Sequence, residues 1–319
     1  FIGSHLAEFL VKKNHSVVII DNLSTGRLEN INSFKKKVKF VKADISKIGK
    51  WINNFKNAKI VFHLAALADI VPSIKNPKKY FQSNVVGCEN IATVCASYKV
   101  KKIIYSASSS CYGIPNKYPT PETESIKPQY PYVLTKNLGE QILIHYAKIY
   151  GVQAISMRLF NVYGTRSRTS GTYGAMFGVF LAQKLKKKPL TVVGDGNQKR
   201  DFIYVTDLAS AFYEVSNSSK YGEVYNVGAG KPQTINHLVN LISSNSNEVI
   251  YLPKRPGEPD ITWANINKIT SKTSWSPIIS FEEGVSKMLN NITDWKDAPL
   301  WEEDSIIKAT KSWFKYMKN

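Results

Sequence analysis

The chain has 319 residues, 43% of them hydrophobic and 12% aromatic, enough apolar material for one large core or two unequal ones, and this excludes overall disorder. Its net charge of +19 comes mostly from scattered lysines, which argues against a nucleic-acid binder and fits a solvated surface or an anionic substrate. No apolar run reaches membrane length and no signal sequence opens the chain, while Cys88, Cys95, Cys111 and the five histidines follow no metal-ligand spacing, so a reducing, cytoplasmic setting without a metal is expected.

Ile2, Leu6, Phe9 and Leu10 predict a helix in the first residues. A short buried strand at 17–20 runs into Asp21, a second at 39–44 ends in Asp44, and a third at 60–64 precedes the small residues Ala65 and Ala66. Helix 80–98, strand 102–107, helix 132–150 and strand 152–158 continue the alternation. Such a pattern predicts an α/β fold, a Rossmann-like doubly wound parallel sheet covered on both faces. Beyond Phe160 it becomes irregular, with a Gly/Ser/Thr/Arg loop at 164–174, a helix at 177–187 and an extended run into Gly194-Asp195-Gly196. Residues 224–227 are expected to return to the main sheet, 235–243 to be helical, and 291–319 to form terminal helices. The expected division is a cofactor domain at 1–162 with returning segments around 201–229, and a smaller mixed substrate-binding domain at 163–200 and 230–319.

Asp21, at a strand end, suits hydrogen bonding to both hydroxyls of an adenosine ribose, and its charge repels a 2′-phosphate; NAD is favoured over NADP, with Asn22 beside it. Asp44 and Ile45 are placed to close over the adenine edge, Ala65 and Ala66 to let backbone approach the cofactor, and Asn84 to offer a polar partner in the same groove. A glycine fingerprint normally marks the turn from the first strand into the first helix, where its amides meet a pyrophosphate. Only its last glycine, Gly3, is present, with Ile2 before it, so an amino-terminal truncation ahead of the first strand is expected.

Tyr132 and Lys136 fall one turn apart on one face of the predicted helix, where a cation favours a phenolate that otherwise forms only near pH 10. With Ser108-Ser109-Ser110 about 24 residues upstream, the three groups predict a general base acting on an alcohol.

Together these residues resemble the extended short-chain dehydrogenase/reductase family, specifically its nucleotide-sugar 4-epimerases. The resemblance runs from Phe1 to about Trp275 through Phe1-Ile2-Gly3-Ser4-His5, Ile20-Asp21-Asn22, His63-Leu64-Ala65-Ala66, Tyr132 to Lys136, Arg158 to Gly164, Arg200 to Val205 and Arg255 to Pro259. It implies Tyr132 as the catalytic phenol, Lys136 as the group that holds the nicotinamide ribose and lowers the phenol pKa, and Ser108, with Ser109, as a contact to the sugar. It also implies that Asn161, Arg200 and Arg255 meet the substrate diphosphate and Glu258 its ribose. A four-helix homodimer seam from 84–98 and 132–150 is implied as well, although the apolar faces of these helices equally suit covering the sheet.

Relatives that eliminate water across C5 and C6 carry Thr-Asp-Glu where this chain has Ser108-Ser109-Ser110, and serine hydroxyls do not replace those carboxylates near neutral pH. The expected reaction is therefore reversible C4 epimerisation of a UDP-sugar through a 4-keto intermediate. Thr262 occupies the position where a bulky tyrosine restricts some relatives, and its small size implies UDP-GlcNAc/UDP-GalNAc, with UDP-Glc/UDP-Gal also admitted. A UDP-uronate 4-epimerase, with the Arg166-Ser167-Arg168 loop on the carboxylate, a 4-keto-sugar reductase and an inert nucleotide-sugar binder are the alternatives.

Overall fold

The computed structural model describes residues 1–167, 176–218, 221–243 and 248–317. Helix α1 (Ile2–Lys12) leads into the parallel pair β1 (Val17–Asp21) and β2 (Val38–Lys42). After β3 (Ile60–His63) come the short helices α2 (Ile70–Lys75) and α3 (Pro77–Phe81), then α4 (Gly87–Ser97). Strand β4 (Lys102–Ser108), the long helix α5 (Pro131–Tyr150) and β5 (Gln153–Leu159) complete the regular alternation.

The main sheet is parallel, in the order β10-β5-β4-β3, with β10 (Glu223–Val227) arriving late in the sequence to pair with β5. All seven residues of β4 are buried, as a strand covered on both faces requires. Ile104, Ile155, Met157 and Tyr225 pack on one side with Leu6 of α1 and with Phe212 of α7 (Val205–Asn217). Ile103, Tyr105 and Ala154 pack on the other side with Ile91 of α4 and Leu143 of α5. The doubly wound architecture predicted from the alternation is present.

The predicted helix 80–98 is interrupted. Residues Gln82–Val86 form a π-helical turn between α3 and α4, and such turns reposition side chains that an unbroken α-helix would misplace. The turn places Asn84 under the loop that follows β3.

The remaining elements surround a third apolar cluster. They are β6 (Asn161–Tyr163), α6 (Met176–Leu185), β7 (Leu190–Val193), β8 (Lys199–Arg200), β9 (Phe202–Tyr204), β11 (Gln233–Thr234), α8 (Ile235–Ser243) and β12 (Val249–Leu252). Helices α9 (Asn267–Lys272), α10 (Phe281–Asn290) and α11 (Glu303–Tyr316) end the described chain. Tyr163 stacks on Phe177 and Phe202 on Phe281, which joins β6, β9, α6 and α10. Part of the predicted 164–174 loop, including Arg168, lies outside the described residues.

Two buried polar networks fix how these parts meet. Arg158 of β5 binds Glu140 of α5 through both Nη2 (2.6 Å) and Nε (3.1 Å), and its Nη1 donates to Tyr112, whose hydroxyl reaches Asn226 of β10. Asp201 accepts amides from Ala229, Gly230 and Ala264, drawing two late segments toward the start of β9. Glu140→Leu leaves the Arg158 guanidinium buried without its carboxylate. The expected loss is about 3–5 kcal/mol of unfolding free energy, measured by denaturant titration of the purified chain.

Candidate active site

Strand β4 ends at Ser108, whose Oγ accepts from the amide of Ser110 at 3.3 Å and caps the short 3-10 turn Ser109–Tyr112. Helix α5 starts with Pro131, a residue suited to a first turn because the missing N–H is not needed there. Tyr132 follows in that turn, and its phenol comes near the Ser108 hydroxyl, which favours the phenolate. The strand end and helix start thus bring together two groups separated by 24 positions.

Lys136 lies one turn along α5, only 4% exposed, with Nζ 4.3 Å from the ring centroid of Tyr105. Tyr105 fits beneath the helix because position 139 is glycine; a Cβ there would stand 2.5 Å from the phenol oxygen. The Tyr105 hydroxyl donates to the Lys136 carbonyl at 3.1 Å. His63 lies tilted against the same ring, with centroids 5.4 Å apart. Burial, with Lys136 alongside, pulls the His63 imidazole down to about 3, and burial lowers the Lys136 ammonium to about 8.

The spacing of Tyr132 and Lys136 predicts that the cation lowers the phenol pKa. In the structure the ammonium turns toward Tyr105, and burial instead pushes the Tyr132 phenol above its ordinary value, opposed by the nearby Ser108 hydroxyl. The side-chain direction, rather than the sequence spacing, decides this.

Asp21 ends β1 and accepts the Leu23 amide at 2.7 Å, while exposed Asn22 accepts from Ser24. Gly26 passes so close to the Asp21 carboxylate that a Cβ would meet it at 2.9 Å. Exposed Asp44 binds Ser46 through amide and hydroxyl. Ile45 is buried against Gly87 of α4. Ile2 packs into the core and Gly3 is exposed in α1. Ala65 is exposed and Ala66 half-buried in the loop after β3. Asn84 is 1% exposed and holds that loop, accepting the Leu67 amide and donating to the Leu67 carbonyl and to Thr135. Its amide is committed to positioning the loop against α5.

A cleft of about 140 Å³ opens beside these groups, lined among others by Ser109, Ser110, Tyr130, Asn161, Arg200, Glu258, Thr262 and Trp313. Arg200 donates to Glu258 at 3.0 Å, and Arg255 lies 3.8 Å from the same carboxylate group. Thr262 donates to Asn161 at 2.8 Å and accepts the Asp201 amide. Tyr130 lies near the Ser110 hydroxyl and reaches toward Trp313. From the sequence, Tyr105, Tyr130 and Trp313 receive no site role, and His63 enters only as part of the His63-Leu64-Ala65-Ala66 run; the nearest usable signal is the place of Tyr130 and Thr135 beside or inside the Tyr-x-x-x-Lys segment.

Residues 1–228 match the NAD dependent epimerase/dehydratase family. A putative UDP-glucose 4-epimerase from Methanocaldococcus jannaschii is 36% identical over 296 residues, covering 91% of this chain and 94% of the relative. A solved UDP-N-acetylglucosamine 4-epimerase from Methanobrevibacter ruminantium, in complex with UDP-N-acetylmuramic acid, is similar with a TM-score of 0.85 and 34% identity, covering 91% of this chain and 96% of that one. The UDP-glucuronic acid 4-epimerase from Bacillus cereus, in complex with UDP-glucuronic acid and NAD, is similar with a TM-score of 0.85 and 30% identity, covering 92% and 96%.

The depressed imidazole has a consequence for stability. His63 is neutral in the fold, so its contribution is full above the unfolded value near 6.5 and is lost as pH falls toward about 3. His5, buried and lowered to about 4, acts in the same direction. The thermal midpoint should therefore drop between pH 7 and 5, and His63→Phe should flatten that slope, as followed by circular dichroism.

Proposed function

The chain belongs to the NAD dependent epimerase/dehydratase family, and on that premise we propose that it interconverts C4 epimers of a UDP-sugar, with UDP-GlcNAc/UDP-GalNAc as the main pair and UDP-Glc/UDP-Gal admitted. The observation that carries this reading is the Tyr132 phenol near the Ser108 hydroxyl and a buried lysine, next to a cleft that the chain neighbours Ser109, Ser110 and Tyr130 line together with Arg200, Asn161 and Thr262. The first group suits proton removal from a sugar hydroxyl. The second suits a pyrophosphate, because a guanidinium fork that takes a carboxylate, as Arg200 takes Glu258, presents the same donors to phosphate oxygens.

The residues fit a dinucleotide. Asp21 at the carboxyl end of a parallel strand suits the adenosine ribose, and among the described residues the Lys136 ammonium makes no ion pair, leaving its donors for a ribose diol. Asp21 and Lys136 would hold the two riboses of NAD, with Ala65 beneath the groove. NAD+, when bound, supplies the acceptor and later the donor of the C4 hydride.

The chain's own work is proton handling and orientation. Tyr132 takes the C4 hydroxyl proton and Ser108 donates to the oxygen as charge develops there. The 4-keto sugar turns about its link to the diphosphate, and Tyr132 returns the proton on the other face. No net oxidation results, and no external reductant is required.

Thr262 supports the choice of an N-acetylhexosamine. Its hydroxyl is turned to Asn161 and the Asp201 amide, so it contributes little bulk to the cleft it lines. Arg166 bears on the uronate alternative. Its guanidinium is bound to Glu8 and to the Ser4 carbonyl, both on α1, and is thereby engaged away from a sugar carboxylate. Cytoplasmic placement and a homodimer are part of the same proposal. The three unpaired, buried cysteines support the first; exposed Leu134, Ile149 and Tyr150 on α5, with Phe81 on α3, support the second.

Incubation of the full chain with UDP-GlcNAc, UDP-Glc and UDP-GlcA, without added NAD+, should yield C4 epimers of the first two. Tyr132→Phe should lower kcat by about 10²- to 10⁴-fold while UDP binding persists. Stoichiometric NADH consumption would point instead to a reductase. Turnover of UDP-GlcA alone would overturn the substrate assignment.

A further inference from the structure

The carboxyl-terminal helix enters the cleft from a part of the chain beyond the matched residues 1–228. Helix α11 buries Ile306, Thr310 and Trp313, spaced four and three residues apart, so one stripe faces inward. Its start is fixed twice. Glu302 and Ser305 form a reciprocal cap, and Gln183 of α6 donates to the Trp301 carbonyl at 2.6 Å. Its body packs on α2, the helix that follows the Ala65-Ala66 loop.

This leaves Trp313 at the junction of three cleft segments. The indole N–H donates to the Pro256 carbonyl at 2.8 Å. The ring lies 5.3 Å from the Arg255 guanidinium carbon and 6.0 Å from the ring of Tyr130, two residues before the catalytic phenol. The turn it supports is tight, with Gly257 at φ +71°, where a Cβ would stand 3.1 Å from Gln129 and 3.3 Å from Met317. Arg255 and Glu258 flank that turn.

We propose that Trp313 is a positioning residue of the substrate cleft, holding the Arg255–Glu258 turn against Tyr130 so that the nucleoside diphosphate is gripped at a fixed distance from Tyr132. The inference rests on the UDP-sugar reading above. An aromatic face orients a guanidinium without neutralising it, so Arg255 keeps its charge for a phosphate while losing freedom to swing away. The N–H bond to Pro256 fixes the backbone on which Arg255 rides. Trp313 thus acts through Arg255 and touches no reacting atom, and its influence should fall on substrate affinity rather than on the chemical step.

The test is calorimetric titration of the full chain with UDP, paired with steady-state epimerisation of UDP-GlcNAc, for wild type, Trp313→Ala, Trp313→Phe and each change in an Arg255→Ala background. Trp313→Ala should weaken UDP binding and raise KM by about tenfold, with kcat held within about threefold. Trp313→Phe, which keeps a ring and drops the N–H, should fall between and serves should the alanine variant unfold. In the Arg255→Ala background the Trp313 changes should cost less than about twofold, since the group they act through is gone. Unchanged UDP affinity in a folded Trp313 variant, or an equal loss in both backgrounds, overturns the proposal. A wild-type chain that binds UDP but epimerises no UDP-sugar sinks the functional reading instead, and the UDP arm still decides the role of Trp313.

Discussion

The packing of α5 across β4 is the constraint on which the site depends. Gly139 lets the helix settle onto the Tyr105 ring, the Tyr105 hydroxyl holds the Lys136 carbonyl, and the ring face receives the Lys136 ammonium. With the helix at that height and rotation, its first turn brings Tyr132 to the end of β4, where Ser108 is waiting. A side chain at 139 would lift α5 and separate the phenol from the hydroxyl before any substrate contact was altered. The Arg158–Glu140 pair ties the same helix to the adjacent strand β5. The geometry of the candidate site is a property of packing, with Ser108, Tyr132 and Lys136 carried along.

A buried lysine would ordinarily be costly, and its surroundings show how the cost is contained. His63 beneath it is kept neutral, so no second cation competes, and Tyr105 offers a negative ring face in place of a carboxylate. A carboxylate partner would have satisfied the ammonium and consumed its donors. The aromatic contact stabilises the charge without taking up the ammonium's N–H groups in an ion pair. Tyr132 is treated differently: burial keeps the phenol protonated and Ser108 alone opposes it, so ionisation of the base belongs to the complex with cofactor and substrate.

The fold and the shared helix of Tyr132 and Lys136 were legible in the sequence because both depend on short-range periodicity. Alternating buried strands and helices predict a doubly wound sheet, and a four-residue spacing on a helix predicts which side chains share a face. The π-turn at Gln82–Val86 was not legible, since its cause is the anchoring of Asn84 to Leu67 and Thr135, 17 and 51 positions away. Nor was the direction of Lys136, which follows from a ring on another element. Trp313 carried no local signal at all. Its place in the cleft arises from the route of the chain through α6 and α2, and a lone tryptophan near a terminus reads equally well as core.

Epimerisation imposes opposite demands on the two ends of one cleft. The keto sugar must expose both faces to the same groups, so strong directional contacts to the hexose would trap one orientation and slow the turn. The diphosphate must stay fixed, because it is the pivot. Charge-assisted bonds are about twice as strong as neutral ones, and the site supplies both kinds: Arg200 and Arg255 converge on Glu258, while Ser109, Ser110, Tyr130 and Thr262 line the cleft with neutral groups. A neutral sugar end discriminates among hexoses chiefly by volume. A single missing or extra group then changes binding modestly, whereas losing the pivot abolishes the geometry on which inversion depends.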